Sequence, residues 1–293
     1  MQNIEATLNQ SGRFAETTSP RFNPITTGQV IENLEGLGWV PFSSKVVKTR
    51  NLERRPYAKH LVCLKQKDEQ AGQVGEYLPR LNLRNANDGT ASFEVFAGFY
   101  RLICSNGLAI GTTYATAKIR HSLSLDKLGD AVAHAVASTE EQLKKGDAVI
   151  KEWQRITLTT HQRENLAGFA VGLRWQNLFS DSMREKVGQT MENPNNFLAS
   201  EYRERVESVL RVRRSEDNSS SLWHTFNAIQ ENVIQGGFNI YSPRNFRGGV
   251  AVRPVLSRRL GNIAESVRIN RALWDGAEKI ANGETLPTLA LTS

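Results

Sequence analysis

The spacing of apolar residues changes once along this chain, at Ser124, and that change limits what the chain can fold into. Before it, apolar residues come in short runs rich in β-branched and aromatic types: WVPFSSKVVKTR (39–50), KHLVCLKQK (59–67), EYLPRLNLRN (76–85), SFEVFA (92–97) and TAKIRHS (116–122). Such runs read as strands, and the short links between them imply antiparallel neighbours. Asp88-Gly89 is a two-residue turn signal leading into Phe93, Val95 and Ala97. Ahead of the strands, Val30, Ile31, Leu34 and Leu37 predict a short helix, capped by Thr26 or Thr27 and ended by Gly36 and Gly38.

After Ser124 the apolar residues recur every three or four positions. Leu125, Leu128, Val132, Val136 and Leu143 predict a long helix, and Leu166, Phe169, Ala170 and Leu173 a second one after Thr159-Thr160. A third is expected over about 198–213, a fourth from Leu222 to a stop at Gly236-Gly237, and a last over about 263–281. The expected class is therefore α+β: an antiparallel sheet-rich N-terminal half with a short helix, then a helical C-terminal half. The expected organisation is a flexible polar arm at 1–24, a sheet-rich region at 25–122, and a helical region at 123–293. That last region carries a basic loop at 236–262 and packs with the sheet as one compact unit.

Several chemistries lack their signatures. The two cysteines, Cys63 and Cys104, make no disulfide framework, and in a reducing compartment both are thiols. No CxxC or HExxH pattern occurs and the five histidines are scattered, so neither metal nor cofactor is expected. Neither a phosphate-binding GxxxxGK[ST] loop nor a dinucleotide fingerprint is present. Cys104, with His121 as base and Asn106 or Asp88 to orient it, would compose a thiol site. Yet Cys104 follows Leu102 and Ile103, and free cysteine is among the most buried residue types, which favours a core thiol. A thiol hydrolase or nuclease is thus the minority reading. No apolar run approaches the roughly 18 residues of a membrane span, and no signal-peptide pattern opens the chain, so a cytoplasmic protein is expected.

The basic residues say more. The net charge is +7, which suits nucleic acid or an acidic protein partner. Residues 240–275 hold seven arginines, no lysine and two acids. Guanidinium forks and stacks, so arginine-only usage favours phosphate and flat π surfaces. Tyr241 and Phe246 interleave with Arg244 and Arg247, and Gly248-Gly249 allow close backbone approach, a mixture used to hold single strands. Arg253, Arg258 and Arg259 would neutralise further phosphates. A second cationic group, Arg101, Lys118, Arg120 and His121, would share a face if 98–104 and 117–121 pair. Arg101 then needs a partner such as Glu94 or Asp88, because a lone buried charge is costly. In the last helices, Trp223, Leu273 and Trp274 fall at core spacing. Gln230, Glu231, Asn232, Asn270 and Arg271 are polar positions that either knit helices together or line a site.

Four stretches, NANDGTASFEVFAGFYRLICSNGLAIG (85–111), KIRHS (118–122), LWHTFNAIQENVIQGG (222–237) and VRINRALWDGAEKIA (267–281), occur in this order. Together they resemble the phage- and plasmid-borne domain-of-unknown-function family numbered 932, from about Gly36 to Gly283. The resemblance implies an accessory protein of mobile elements and no catalytic motif. In outline, a short helix, antiparallel strands and a long helix are also similar to phage annealing proteins of the RecT and Erf kind, which form rings around single-stranded DNA. The expectation is a non-catalytic protein that binds single-stranded DNA for annealing or protection, as a homo-oligomer if it forms a ring. The alternative is a mobile-element factor that binds and blocks a host defence or replication protein.

Overall fold

A computed structural model describes residues 5–69, 77–101, 107–109, 117–182, 185, 194–246 and 249–287. Cys104, Asn106 and Arg247 lie outside the described residues. The chain divides into two compact units, Met1–Ala148 and Val149–Ser293. Sheet gives way to helix between Ile119 and Leu125, close to the expected change at 122/123, while the compact units divide further on. The division falls inside a helix, α3 (Leu125–Trp153), through which the helical spacing continues without a break.

The first unit is built on an antiparallel sheet. Its strands are β1 (Trp39–Val46), β2 (His60–Gln66), β3 (Tyr77–Asn85), β4 (Phe93–Arg101), β5 (Gly107–Ala109) and β6 (Ala117–Ile119). The order is β1-β2-β3-β4. The outer edge of β4 is divided: β6 pairs with Phe93–Val95 and β5 with Gly98–Tyr100. Register explains the core. Val62, Leu83 and Val95 face one another across three strands, as do Leu64, Leu81 and Ala97, and all six are buried. Each Val or Leu among them contributes about 1.5–3 kcal/mol when fully removed from water. On the other face, Arg84 lies opposite Glu94 and pairs with it at 2.5 Å.

The β3–β4 link is the whole stretch 86–92 rather than a two-residue turn. Asp88 Oδ1 accepts from Thr90 N at 3.0 Å and from Thr90 Oγ1 at 2.6 Å, and Gly89 takes φ 77°. Asp side chains favour such turns for this local bonding. The link also holds the N-terminal segment, where a flexible arm was expected. Asn87 O accepts from Phe14 N at 3.0 Å, and Asn87 Nδ2 donates to Gln10 O and Ile25 O. Phe14 is buried, with its ring 5.6 Å from Tyr57. α1 (Glu5–Leu8) lies within this docked segment.

A buried polar chain joins α2 (Thr27–Glu35) to the sheet. Asn85 Nδ2 donates to Thr27 Oγ1 at 2.9 Å, and Thr27 Oγ1 meets His60 Nε2 at 2.8 Å. His60 Nδ1 lies 3.0 Å from Ala58 O and must be the donor there, so Nε2 accepts from Thr27 in the neutral ring. α3 adds two bonds to this unit: Trp39 Nε1 donates to Glu140 and Tyr77 Oη to Asp147.

The second unit contains the end of α3, then α4 (Thr160–Trp175), α5 (Pro194–Leu210), α6 (Leu222–Gln235), strands β7 (Asn239–Phe246) and β8 (Gly249–Leu256), and α7 (Ile263–Ala281). A capping box between Thr159 and Gln162 starts α4. Trp153, Phe226 and Trp274 form the aromatic centre, with Trp153 and Trp274 4.6 Å apart and Trp223 stacked on Phe226. Gly276 lets α7 approach α4, since a Cβ there would meet the Phe169 ring at 2.8 Å. The polar positions of the last helices do knit elements together. Gln230 Nε2 donates to Asn270 Oδ1 at 2.9 Å, and Asn232 Nδ2 donates to the carbonyls of Val209 and Arg211. The expected basic loop at 236–262 is instead a regular two-stranded ribbon, paired from Asn239↔Leu256 to Phe246↔Gly249.

Burial holds the pKa of His60 below its ordinary 6.5. Below pH 6.5 the unfolded chain therefore takes up a proton that the folded chain resists, so this contribution is present above that pH and is lost as pH falls. A melt by calorimetry should show Tm falling between pH 7.5 and 5.5, with a smaller fall in His60→Gln; equal falls would exclude His60 as a source.

Candidate nucleic-acid interface

The ribbon is the feature of the second unit that fits the basic segment of the sequence. Residues 236–262 contain five arginines and neither lysine nor acid. Alternation along paired strands places Ile240, Ser242, Arg244 and Phe246 in one set with Val255, Arg253, Ala251 and Gly249. The structure thus brings Arg244, Phe246 and Arg253 to one set of register positions. Tyr241 belongs to the other set, opposite Pro254, so it does not join them. Its ring stands edge-on to Phe197 at 6.5 Å and remains 39% exposed. Arg253, Arg258 and Arg259 are exposed and enter no ion pair among the described residues.

The ribbon is fixed at its base by residues that sequence reasoning did not single out. Glu201 and Arg205 sit one turn apart on α5, each side chain 2% exposed, and pair at 3.1 Å. Arg205 Nη2 donates to Tyr241 O at 2.8 Å, and Tyr241 N donates to Glu201 Oε2 at 3.2 Å. The ion pair thus satisfies both backbone groups of one β7 residue. Burial pushes the Glu201 carboxyl up and the Arg205 guanidinium down, and each charge opposes the other's shift.

Further anchors lie beside this pair. Gly236 and Gly237 adopt φ 66° and 85°, and Gly237 N donates to Ser257 O at 2.8 Å. A Cβ on Gly236 would lie 2.6 Å from Ser257 O, so the chain can turn here only without a side chain. Arg213 donates to Asn232 Oδ1 and to Gly236 O. Arg174 donates to the carbonyls of Val233 and Arg258. Burial, and after it the charge of Arg205, brings the Arg174 guanidinium down to about 10. Trp175 lies under both cations, 4.7 Å from Arg174 and 5.2 Å from Arg205. The Arg174-Trp175 dipeptide at a helix end was the visible signal for this cluster.

The second expected group is not brought together. Lys118 pairs in register with Glu94 near the start of β4, and Arg101 pairs with Tyr77 at its end. Seven positions separate Glu94 from Arg101, about 23 Å at 3.3 Å per residue and on opposite faces. The acids expected to serve Arg101 are engaged elsewhere: Glu94 with Arg84, and Asp88 with Arg54 at 3.0 Å. Lys118 and Arg120 are exposed. His121 is buried, bonded through Nδ1 to Asn23 O and stacked on Phe22 at 4.3 Å. Cys63 is buried, and burial raises its thiol to about 11, far from a nucleophile's range. Among the described residues no group of three or more His, Cys, Asp or Glu is placed to hold a metal, and no helix is long and apolar enough to cross a membrane.

Breaking the anchor has a definite expected effect. Glu201→Ala leaves Arg205 buried without a counter-charge and should destabilise the protein by about 3–5 kcal/mol in urea unfolding followed by tryptophan fluorescence. Arg203→Ala, an exposed position on the same helix, should change stability by under about 0.5 kcal/mol.

Comparison with known proteins places this scaffold. Two proteins of Escherichia coli (strain K12), UPF0380 protein YafZ and UPF0380 protein YfjQ, are each 29% identical to the chain, over 270 and 274 residues; both alignments cover 90% of this chain and 84% of the relative. No solved structure matches. The family model described as domain of unknown function (DUF932) matches residues 15–274, beginning inside the docked N-terminal segment and running through both units, and the chain belongs to that family.

Proposed function

We propose that this is a non-catalytic nucleic-acid-binding protein that holds single-stranded DNA, for annealing or protection, on its β7–β8 ribbon. The observation that carries the reading is an acid-free, five-arginine segment folded as a ribbon on a rigid base. A backbone fastened at its base lowers the ordering cost of binding to that of the side chains. Arg244, Phe246 and Arg253 share one register set, and arginine with an aromatic is the mixture used to hold single strands.

The exposed Leu256 and half-exposed Tyr241 at the ribbon base favour a second reading, in which the same ribbon docks on an acidic surface of a host protein. Pull-down with and without nuclease separates the two, since a protein partner survives nuclease.

Fluorescence anisotropy with a labelled single-stranded oligonucleotide tests the first reading. Binding should weaken with salt, and Arg253→Ala or Arg259→Ala should each flatten the log–log salt slope by about 0.7. An absence of salt-sensitive binding at micromolar protein would contradict it.

A further inference from the structure

At the foot of the ribbon lies a groove of about 550 Å³, lined by Arg174, Trp175, Ile240, Val255, Leu256 and Arg258 among others. That volume is within the range of small-ligand sites. Its two sides differ chemically. Ile240, Val255 and Leu256 make an apolar wall, of which Leu256 is 62% exposed. Trp175 lies on the lining with Arg174 and Arg205 over its ring.

The charge around the groove is unbalanced. Arg174 is held by the backbone carbonyls of Asn232, Val233 and Arg258 and enters no ion pair among the described residues. Arg258 is exposed and likewise enters none there. Arg205, just behind Trp175, is matched by Glu201. Glu204 adds a second carboxylate near Arg205, so three guanidiniums stand against two carboxylates, and the surplus positive charge borders an apolar, aromatic cleft. An occupant that is flat and apolar on one side and anionic on the other satisfies both features.

We infer that this groove seats one unpaired nucleotide of the bound strand, its base between Trp175 and the Ile240–Val255–Leu256 wall and its phosphate at Arg258. This rests on the reading of the ribbon as a nucleic-acid surface and adds where a base is held. A base within a duplex is stacked and paired and does not enter. The site therefore supplies the preference for single strands, while the ribbon supplies the salt-dependent affinity.

Photo-crosslinking with an oligonucleotide carrying 5-iodouracil, followed by mass spectrometry, tests the seat on the full chain. Adducts are expected at Trp175 or within 255–258 with the single strand, and they should be lost when the iodouracil is paired in a duplex. Leu256→Glu, at an exposed position, should keep the wild-type Tm, lower single-strand affinity at least tenfold and abolish these adducts. If the wild type shows salt-sensitive binding but adducts lie only elsewhere, or none form, the nucleotide seat is overturned while the ribbon reading stands. If the wild type does not bind at all, the ribbon reading itself has failed.

Discussion

The second unit depends on one buried ion pair. A two-stranded ribbon has no sheet beside it and is marginal by itself in water. Here Glu201 and Arg205 reach from α5 to the amide and carbonyl of Tyr241 and fasten β7 at its base. Neither charge would be tolerated alone at 2% exposure, and the pair is acceptable because the β7 backbone satisfies part of what remains. Gly236, Gly237, Arg174 and Arg213 then fix the entry and exit of the ribbon at its base.

The arginines consequently divide into two populations. Arg174, Arg205 and Arg213 are structural, bonded to backbone carbonyls across several segments, and Arg214 pairs with Glu231. Arg253, Arg258 and Arg259 are exposed and lie in a segment with no acid. Arginine suits both tasks, because its planar fork bridges carbonyls in the interior and phosphates outside. The net charge of +7 is therefore not an even coat of solubilising charge: part is spent inside, and the acid-free ribbon concentrates another part.

What could be read in advance follows from the range of the interactions involved. Helices are recorded locally: the last one was expected over about 263–281 and is Ile263–Ala281, and the stop at Gly236-Gly237 is where α6 ends. The first-half strands were legible for the same reason. The ribbon was not, because Pro243 and Pro254 interrupt runs that otherwise alternate, and proline in a strand marks an edge or a break. Both strands here are edges, so the prolines fit. The docking of residues 5–24 rests on Asn87 and Phe14, far apart in sequence, and no local pattern records that contact. The unit boundary was hidden because α3 runs through it with one unbroken period. Of the candidate interface, the basic character and the arginine positions were legible. The separation of Tyr241 from Arg244 and Phe246 needed register, and the anchoring role of Glu201, Arg205 and Arg174 needed the fold.

The anchored ribbon is proposed as the surface that meets nucleic acid. Hydrogen exchange of the full chain, followed by mass spectrometry with and without a saturating single-stranded oligonucleotide, tests it most directly. Exchange across residues 239–256 should slow when the oligonucleotide is bound. Unchanged exchange there, with protection confined to other segments, would contradict it.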